Sequence, residues 1–313
     1  MEPASELTPE LRAFVEFVAK KGRELYRDLP WRRTYDPYAI WISEVMLQQT
    51  QVSRVDGRWQ RWLERFPTVD ALAAAAPSDV LEEWQGLGYN RRALSVHRAA
   101  QAISEAGGIF PQDPKELVKL PGIGPATAAG IRAFAFNLHG VYLETNVRTV
   151  FLHELYPQAE GVPDSELVPL VELTCPASVA DAVNADNAAN VVDADGAAND
   201  ATAELTPRSW YYALLDYGAY LKKTIPNPSR RSKSHVKQSR FEGSHRQKRA
   251  ELLRVLLAHK DEGGAVFETL HQELCQIEVN AGRETLDEQV TLGLLEELAK
   301  EGFCQKNDEY WLP

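Results

Sequence analysis

The chain is predicted to be mainly α, in two helical lobes followed by a small winged-helix-like module at the C-terminus. Three observations predict this. Its 313 residues exceed one ordinary core, since a domain takes roughly 100–200 residues. From residue 8 to about 173, apolar side chains recur at helical spacing, and no stretch alternates like a strand for more than a few residues. Residues 246–313 carry three helical patterns and then a short hairpin.

The elements follow in order. Thr8-Pro9 starts an amphipathic helix over 9–27, with Leu11, Phe14, Val15, Val18 and Leu25 on one face, and Leu29-Pro30-Trp31-Arg32 breaks it. Further helices run to about 173, punctuated at Phe66-Pro67, Ala76-Pro77, Gly107-Gly108 and Pro121-Gly122. Residues 176–207 hold six acids, no base and no aromatic side chain. Such a stretch buries too little apolar surface to offset its ordering entropy, which predicts a disordered surface insertion. Helical pattern resumes at Ser209-Trp210-Tyr211. In the C-terminal module, Leu252–Leu257, Phe267–Leu274 and Leu286–Leu298 suggest three helices, and the hairpin turns around Lys306-Asn307-Asp308. Winged helices bind DNA or protein. The acids on the third helix (Glu284, Asp287, Glu288, Glu296, Glu297) suit docking at least as well as DNA reading.

Composition narrows the class. With 44% hydrophobic and 25% charged residues, wholesale disorder is excluded. No apolar run reaches the length of a membrane span, and the acidic start does not read as a signal peptide. Cys175, Cys275 and Cys304 lie too far apart for a disulfide framework or a four-cysteine metal site. A cytoplasmic protein is expected, nucleoid-associated if prokaryotic. The net charge is −11, yet residues 221–250 hold ten basic side chains against the single acid Glu242. A basic block on an acidic chain can follow a phosphate backbone locally, or can be a solvated loop.

One string carries specific chemistry. Leu117 to Leu120 ends a helix, Pro121-Gly122-Ile123-Gly124 turns, and a second helix starts near Pro125. The glycines allow close backbone approach, and the unpaired amides at the following helix start grip an anion without a charged side chain. This is a helix-hairpin-helix signature, in which Gly122 and Gly124 are expected to approach a DNA phosphate.

A fuller set of motifs occurs in order: Leu29-Pro30-Trp31-Arg32; Trp41 through Val52, containing Ser43-Glu44-Val45-Met46-Leu47-Gln48-Gln49-Thr50; Trp84 through Tyr89; Arg91-Arg92-Ala93; Leu120 through Gly124; and Asn146-Val147-Arg148. The chain thereby resembles the helix-hairpin-helix DNA glycosylases, and within them the MutY-type adenine glycosylases, over about residues 8–157 and 209–221. The resemblance implies a two-lobed glycosylase fold over 1–245, with a six-helix lobe at about 36–142 and a second lobe from 1–35 plus 143–245. It also implies base excision repair on double-stranded DNA containing a mismatch or lesion, with adenine removed opposite guanine or 8-oxoguanine. A monomer with no membrane partner is expected.

On a helix, Ile40, Trp41 and Leu47 share the stripe of Glu44, so its carboxyl is predicted to be desolvated and protonated often enough to act as general acid. Adenine leaves poorly until a ring nitrogen is protonated. Glu144 precedes a helical run, where the dipole should keep it ionised to stabilise the cationic sugar. The family has aspartate there, and one extra methylene shifts the charge by a distance that can cost ~100-fold in rate if uncompensated. Ala126 replaces the lysine of bifunctional relatives, which predicts a monofunctional enzyme.

The resemblance further assigns Gln49, Thr50, Leu87 and Tyr89 to wedging into the duplex, a step needed because the target base must leave the stack. Core packing is the competing reading for Leu87 and Tyr89, and Asn90 replaces a second tyrosine. Trp31, Arg32 and Asn146 match the base pocket, although Trp31 could equally be plain core. The family's four-iron cluster is expected to be absent, since no cysteine occurs between 176 and 274. Lys222 through Arg249, with Lys237, Arg240 and Arg246 foremost, are expected to replace its phosphate contacts. The C-terminal module does not resemble the nudix-like domain of typical MutY proteins. Removal of thymine or another modified base, or a catalytically silent lesion-binding protein, are the other readings.

Overall fold

The structure, a computed structural model, describes residues 7–177, 204–235 and 240–313. It forms two compact units, Met1–Glu44 with Phe110–Lys237, and Val45–Ile109 with Gln238–Pro313. The C-terminal segment therefore groups with residues 45–109. Residues 178–203 of the expected insertion lie outside the described residues. No helix among the described residues is long and apolar enough to cross a membrane.

The first unit is helical and built around Pro207–Thr224. Thr206 and Ser209 form a capping box that starts this helix, and Trp210, Tyr211, Leu214, Tyr217 and Leu221 bury most of its circumference. Pro9–Glu24 starts where the Thr8 hydroxyl accepts from the amide of Leu11, and it buries Phe14 and Val18. Gly22 is required there, because a Cβ at that position would overlap Ala213. Thr145–Glu154 packs on the central helix just as closely: a Cβ on Gly218 would collide with the carbonyl of Asn146. That backbone approach fixes where Thr145–Glu154 begins, and hence where its capping residue sits.

An ion cluster lies inside this unit. Arg32 grips Asp216 with two parallel bonds of 2.7 and 2.8 Å, and Arg27 Nε adds a third at 2.5 Å. The side chains of Arg32 and Asp216 are 1% and 0% exposed. Arg208 donates to the backbone oxygens of Phe134, Arg32 and Thr34, tying three segments together.

The second unit packs five short helices, from Val52–Val55 to Arg91–Glu105, around Trp62, Trp84 and Leu72. His245–Ala258, Phe267–Asn280 and Glu288–Glu301 follow, with a small sheet of β1 (Ala265–Val266), β2 (Gln305–Asn307) and β3 (Tyr310–Leu312). The strand order is β1-β3-β2, all antiparallel, which gives the winged-helix-like arrangement. The β2–β3 turn falls at Asp308, with φ +51°. β1 was not anticipated, because two residues are too few to show alternation. Lys260 binds Asp79 at 3.0 Å and also Glu82, while Glu301 pairs with Arg91 at 2.6 Å and Arg249 at 2.7 Å. These bonds join the C-terminal helices to Pro77–Trp84 and to the start of Arg91–Glu105.

Replacing Asp216 leaves two arginines facing each other, one of them with no route to water. Asp216→Ala is expected to cost about 3–5 kcal/mol of folding stability, measured by chemical denaturation; a loss below 1 kcal/mol would show that the cluster is dispensable.

Candidate active site

Asp36 accepts from the amides of Tyr38 (3.1 Å) and Ala39 (3.3 Å) and so starts the Pro37–Leu47 helix, in which Ile40 and Trp41 are buried. Glu44 projects from that helix and is half-buried. Its Oε2 accepts a 2.8 Å hydrogen bond from the Tyr142 hydroxyl. Gly130 makes room for it, since a Cβ there would stand 2.5 Å from Oε2 and 2.9 Å from the Tyr142 ring. Desolvation pushes the Glu44 pKa up to about 7. The hydrogen bond from Tyr142 opposes the rise, the charge of Glu144 adds to it, and Arg32 opposes it from farther off.

Glu144 caps Thr145–Glu154, accepting from the amides of Asn146 (2.6 Å) and Val147 (3.2 Å) through Oε1. A helix start alone should hold the carboxylate below its ordinary range. The shift is upward instead, because desolvation outweighs the two amides and the charge of Lys222. Burial therefore disfavours the charge that the helix start is expected to hold there. Beside it, the Asn146 side-chain oxygen is buried without a hydrogen-bond partner.

In the hairpin, Gly122 adopts φ +76° and Gly124 caps Pro125–Phe136 with no side-chain hydrogen bond. The 121–126 stretch is exposed apart from Ile123, and the space beside Gly124 is open. The start of this helix is therefore exposed and uncapped by any side chain. Ala126 lies on this exposed edge.

In the second unit, Gln49 and Tyr89 sit at exposed loop tips in the left-handed region, with φ +53° and +51°. Leu87 does not join them. It is 2% exposed and packs in the core, so the wedge assignment for this residue gives way to packing: the turn between Gly86 and Gly88 carries it inward. Thr50 is half-buried, its hydroxyl 3.2 Å from the oxygen of Gln48. Arg92, which sequence reasoning missed, connects the two loops. It donates to the carbonyls of Val45 (2.6 Å), Gln48 (2.7 Å), Gly88 (3.0 Å) and Leu87 (3.3 Å), and lies over the rings of Trp84 and Tyr89. Burial lowers its pKa to about 10, so it remains a cation. A signal was present: paired arginines in the first turn of Arg91–Glu105 oppose the helix dipole and need a compensating role.

Other assigned residues are placed differently from expectation. Trp31 is core, and the Arg32 guanidinium is committed to Asp216 and to the ring of Tyr212, so Arg32 reaches Glu44 by charge and does not form an open pocket floor. Part of the basic block is spent internally. Arg231 donates to the carbonyls of Leu152, Tyr156 and Ala159, and Arg249 pairs with Glu297 and Glu301. Arg240 and Arg246 are exposed, with Arg246 near the Phe241 ring, and Lys237 lies outside the described residues. Among the described residues, no group of three or more His, Cys, Asp or Glu side chains is arranged to hold a metal. Cys175 and Cys304 are buried as free thiols.

Residues 42–202 match the family described as HhH-GPD superfamily base excision DNA repair protein. The chain belongs to that family. Within it, the chain is 42% identical over 152 residues to an adenine DNA glycosylase of Mycolicibacterium smegmatis, covering 48% of this chain and 52% of the relative. It is 39% identical over 134 residues to the Homo sapiens adenine DNA glycosylase, covering 40% of this chain and 24% of the relative. The chain thus matches about half the length of its curated relatives, or less. A thermostable thymine-DNA glycosylase shares the HhH-GPD fold at TM-score 0.55 and 20% identity, with 70% of this chain and 90% of that one aligned.

Because Glu44 holds its proton in the folded chain up to about pH 7, against about 4.3 for a free glutamate, the folded state binds the extra proton in between, and stability falls as pH rises through that window. Glu44→Gln removes this dependence. The melting temperature of the variant relative to the parent is expected to climb from about pH 4.5 to 7 and level off above it; a flat difference in calorimetry would mean that the carboxyl is not desolvated.

Proposed function

We propose that the chain is a monofunctional DNA glycosylase of base excision repair that hydrolyses the N-glycosidic bond of adenine mispaired with guanine or 8-oxoguanine. The observation that carries this reading is the pair of acids in the first unit: Glu44, poised near neutrality, and Glu144, fixed on a helix start. The family membership and the names of the matched relatives support it.

Neutral Glu44 protonates a ring nitrogen of the extruded adenine, and the bond from C1′ to the base breaks with its electron pair leaving on the base. The cationic sugar is stabilised by the Glu144 carboxylate. Water then attacks C1′ and gives its proton to the Glu44 carboxylate, which restores the acid. The orphaned oxygen of Asn146 is suited to accept from an exocyclic amine of the base. Gln49 and Tyr89 enter the duplex, Gly122 and Gly124 hold a phosphate, and Arg240 and Arg246 add backbone contacts.

The protein acts without an iron–sulfur cluster, because the donors for one are lacking: no cysteine stands between 176 and 274. The segment after Pro207–Thr224 is held by side chains bonding to backbone, with the Asn227 side chain capping Pro228–Arg231 and the Arg231 guanidinium closing the end of Thr145–Glu154. A monomer working on duplex DNA in the cytoplasm or nucleoid completes the reading.

Duplexes with A, T, U or hypoxanthine opposite G or 8-oxoguanine, followed by alkaline cleavage of abasic sites, test it directly. Adenine release is expected, reduced at least ~100-fold in Glu44→Gln. Release of another base instead, or tight binding with none released, refutes the assignment. Borohydride should trap no adduct at the level of a bifunctional enzyme, since Ala126 supplies no amine. Neutralising Arg240 and Arg246 should flatten the salt dependence of DNA binding by about two phosphate contacts; an unchanged slope removes the block from the interface.

A further inference from the structure

The two oxygens of the Glu44 carboxyl are not equivalent. Oε2 is lodged in a slot whose walls are the bare Cα of Gly130 and the ring of Tyr142, and the Tyr142 hydroxyl lies 2.8 Å away. Oε1 makes no hydrogen bond with any described residue. The partner in this contact is itself rigid. Its ring meets Phe134 and Tyr211 edge-on at 5.2 and 5.3 Å, and its amide donates to the Tyr211 hydroxyl at 3.1 Å. The Tyr211 hydroxyl in turn donates to the carbonyl of Gly140, so its own proton is already used. The phenol of Tyr142 is buried, and burial together with the charges of Glu44 and Glu144 holds its pKa well above the ordinary tyrosine value. It therefore keeps its proton at every working pH.

A phenol has one proton to donate. Among the described residues, that proton goes to Glu44 Oε2. If the acid's own proton were also on Oε2, two protons would point at each other across 2.8 Å, or the phenol proton would be buried with no acceptor, which costs the desolvation of an unpaired donor. On Oε1 the acid's proton avoids both penalties.

We infer that Tyr142 is a positioning residue which, with Gly130, locks the Glu44 carboxyl and keeps its transferable proton on Oε1, the open oxygen. This rests on the reading of Glu44 as general acid given above and adds a second residue to it, one that acts only through Glu44. It also explains why position 130, inside a helix where glycine is costly, has no side chain. A methyl group there would push Oε2 out of its slot.

The test uses the full chain and has one readout that needs no activity. The parent and Tyr142→Phe, labelled with 13C at glutamate δ carbons, are titrated by NMR, and the Glu44 resonance is assigned by its loss in Glu44→Gln. The hydrogen bond favours the charged form, so removing it should move the Glu44 midpoint upward by about half to one pH unit. In single-turnover base release, Tyr142→Phe should then be slower by about 10-fold or more at pH 6, with DNA affinity within about twofold of the parent and the alkaline limb moved upward in step with the NMR midpoint. Gly130→Ala should slow release similarly, and thermal melts confirm that both variants are folded. An unmoved Glu44 midpoint in folded Tyr142→Phe overturns the inference whatever the protein's substrate. A moved midpoint with parental release at every pH overturns it too, because the bond would then tune the acid without directing its proton. If the parent releases no base from any duplex, it is the glycosylase reading that fails, and the titration alone decides whether Tyr142 holds Glu44.

Discussion

A carboxylic acid keeps its proton near neutral pH only where water is held away from it and opposing charges are rationed. Much of the first unit meets that condition for Glu44. The Pro37–Leu47 helix sets the side chain between buried neighbours, and Gly130 opens a space just large enough for one oxygen. Arg32 draws on the proton by charge, but its guanidinium is bound to Asp216 inside the core and desolvation outweighs it. The buried ion cluster thereby fixes where Arg32 sits and ties the 27–32 segment to the Pro207–Thr224 helix.

Glu144 is governed by the same balance with different weights. Two amides and Lys222 favour its charge, and desolvation works against them. Its position is set by backbone geometry, since the close passage of Gly218 over Asn146 fixes the first turn of Thr145–Glu154 and carries the capping carboxylate with it. The glutamate that stands where the resemblance calls for aspartate caps this helix through Oε1.

Much of this was legible in the sequence, for physical reasons. The helical period, the Pro-Gly turn at 121–124 and the apolar stripe around Glu44 are local signals, and local signals survive without coordinates. What stayed hidden depends on distant pairings. Tyr142 meets Glu44 across 98 residues of chain, and Asp216 meets Arg32 across 184. For Leu87 the resemblance named the wedge and the residue itself also allowed core packing; the backbone turns it inward and leaves Tyr89 outside. The basic block misled in part, because Arg231 and Arg249 spend their charge on internal carbonyls and carboxylates.

Arg91 and Arg92 are consecutive, and their tasks point in opposite directions. Arg92 staples the loops that bear Gln49 and Tyr89, while Arg91 is held by Glu301 at the end of the last helix, a carboxyl that two guanidinium partners keep at a pKa of about 2. The C-terminal segment therefore works as a splint on those loops, since a single peptide bond separates its anchor from their fastening. Because the splint is joined through ion pairs that water can reach, its stiffness depends on ionic strength, so the salt of the surroundings sets how firmly two strained loop tips are presented.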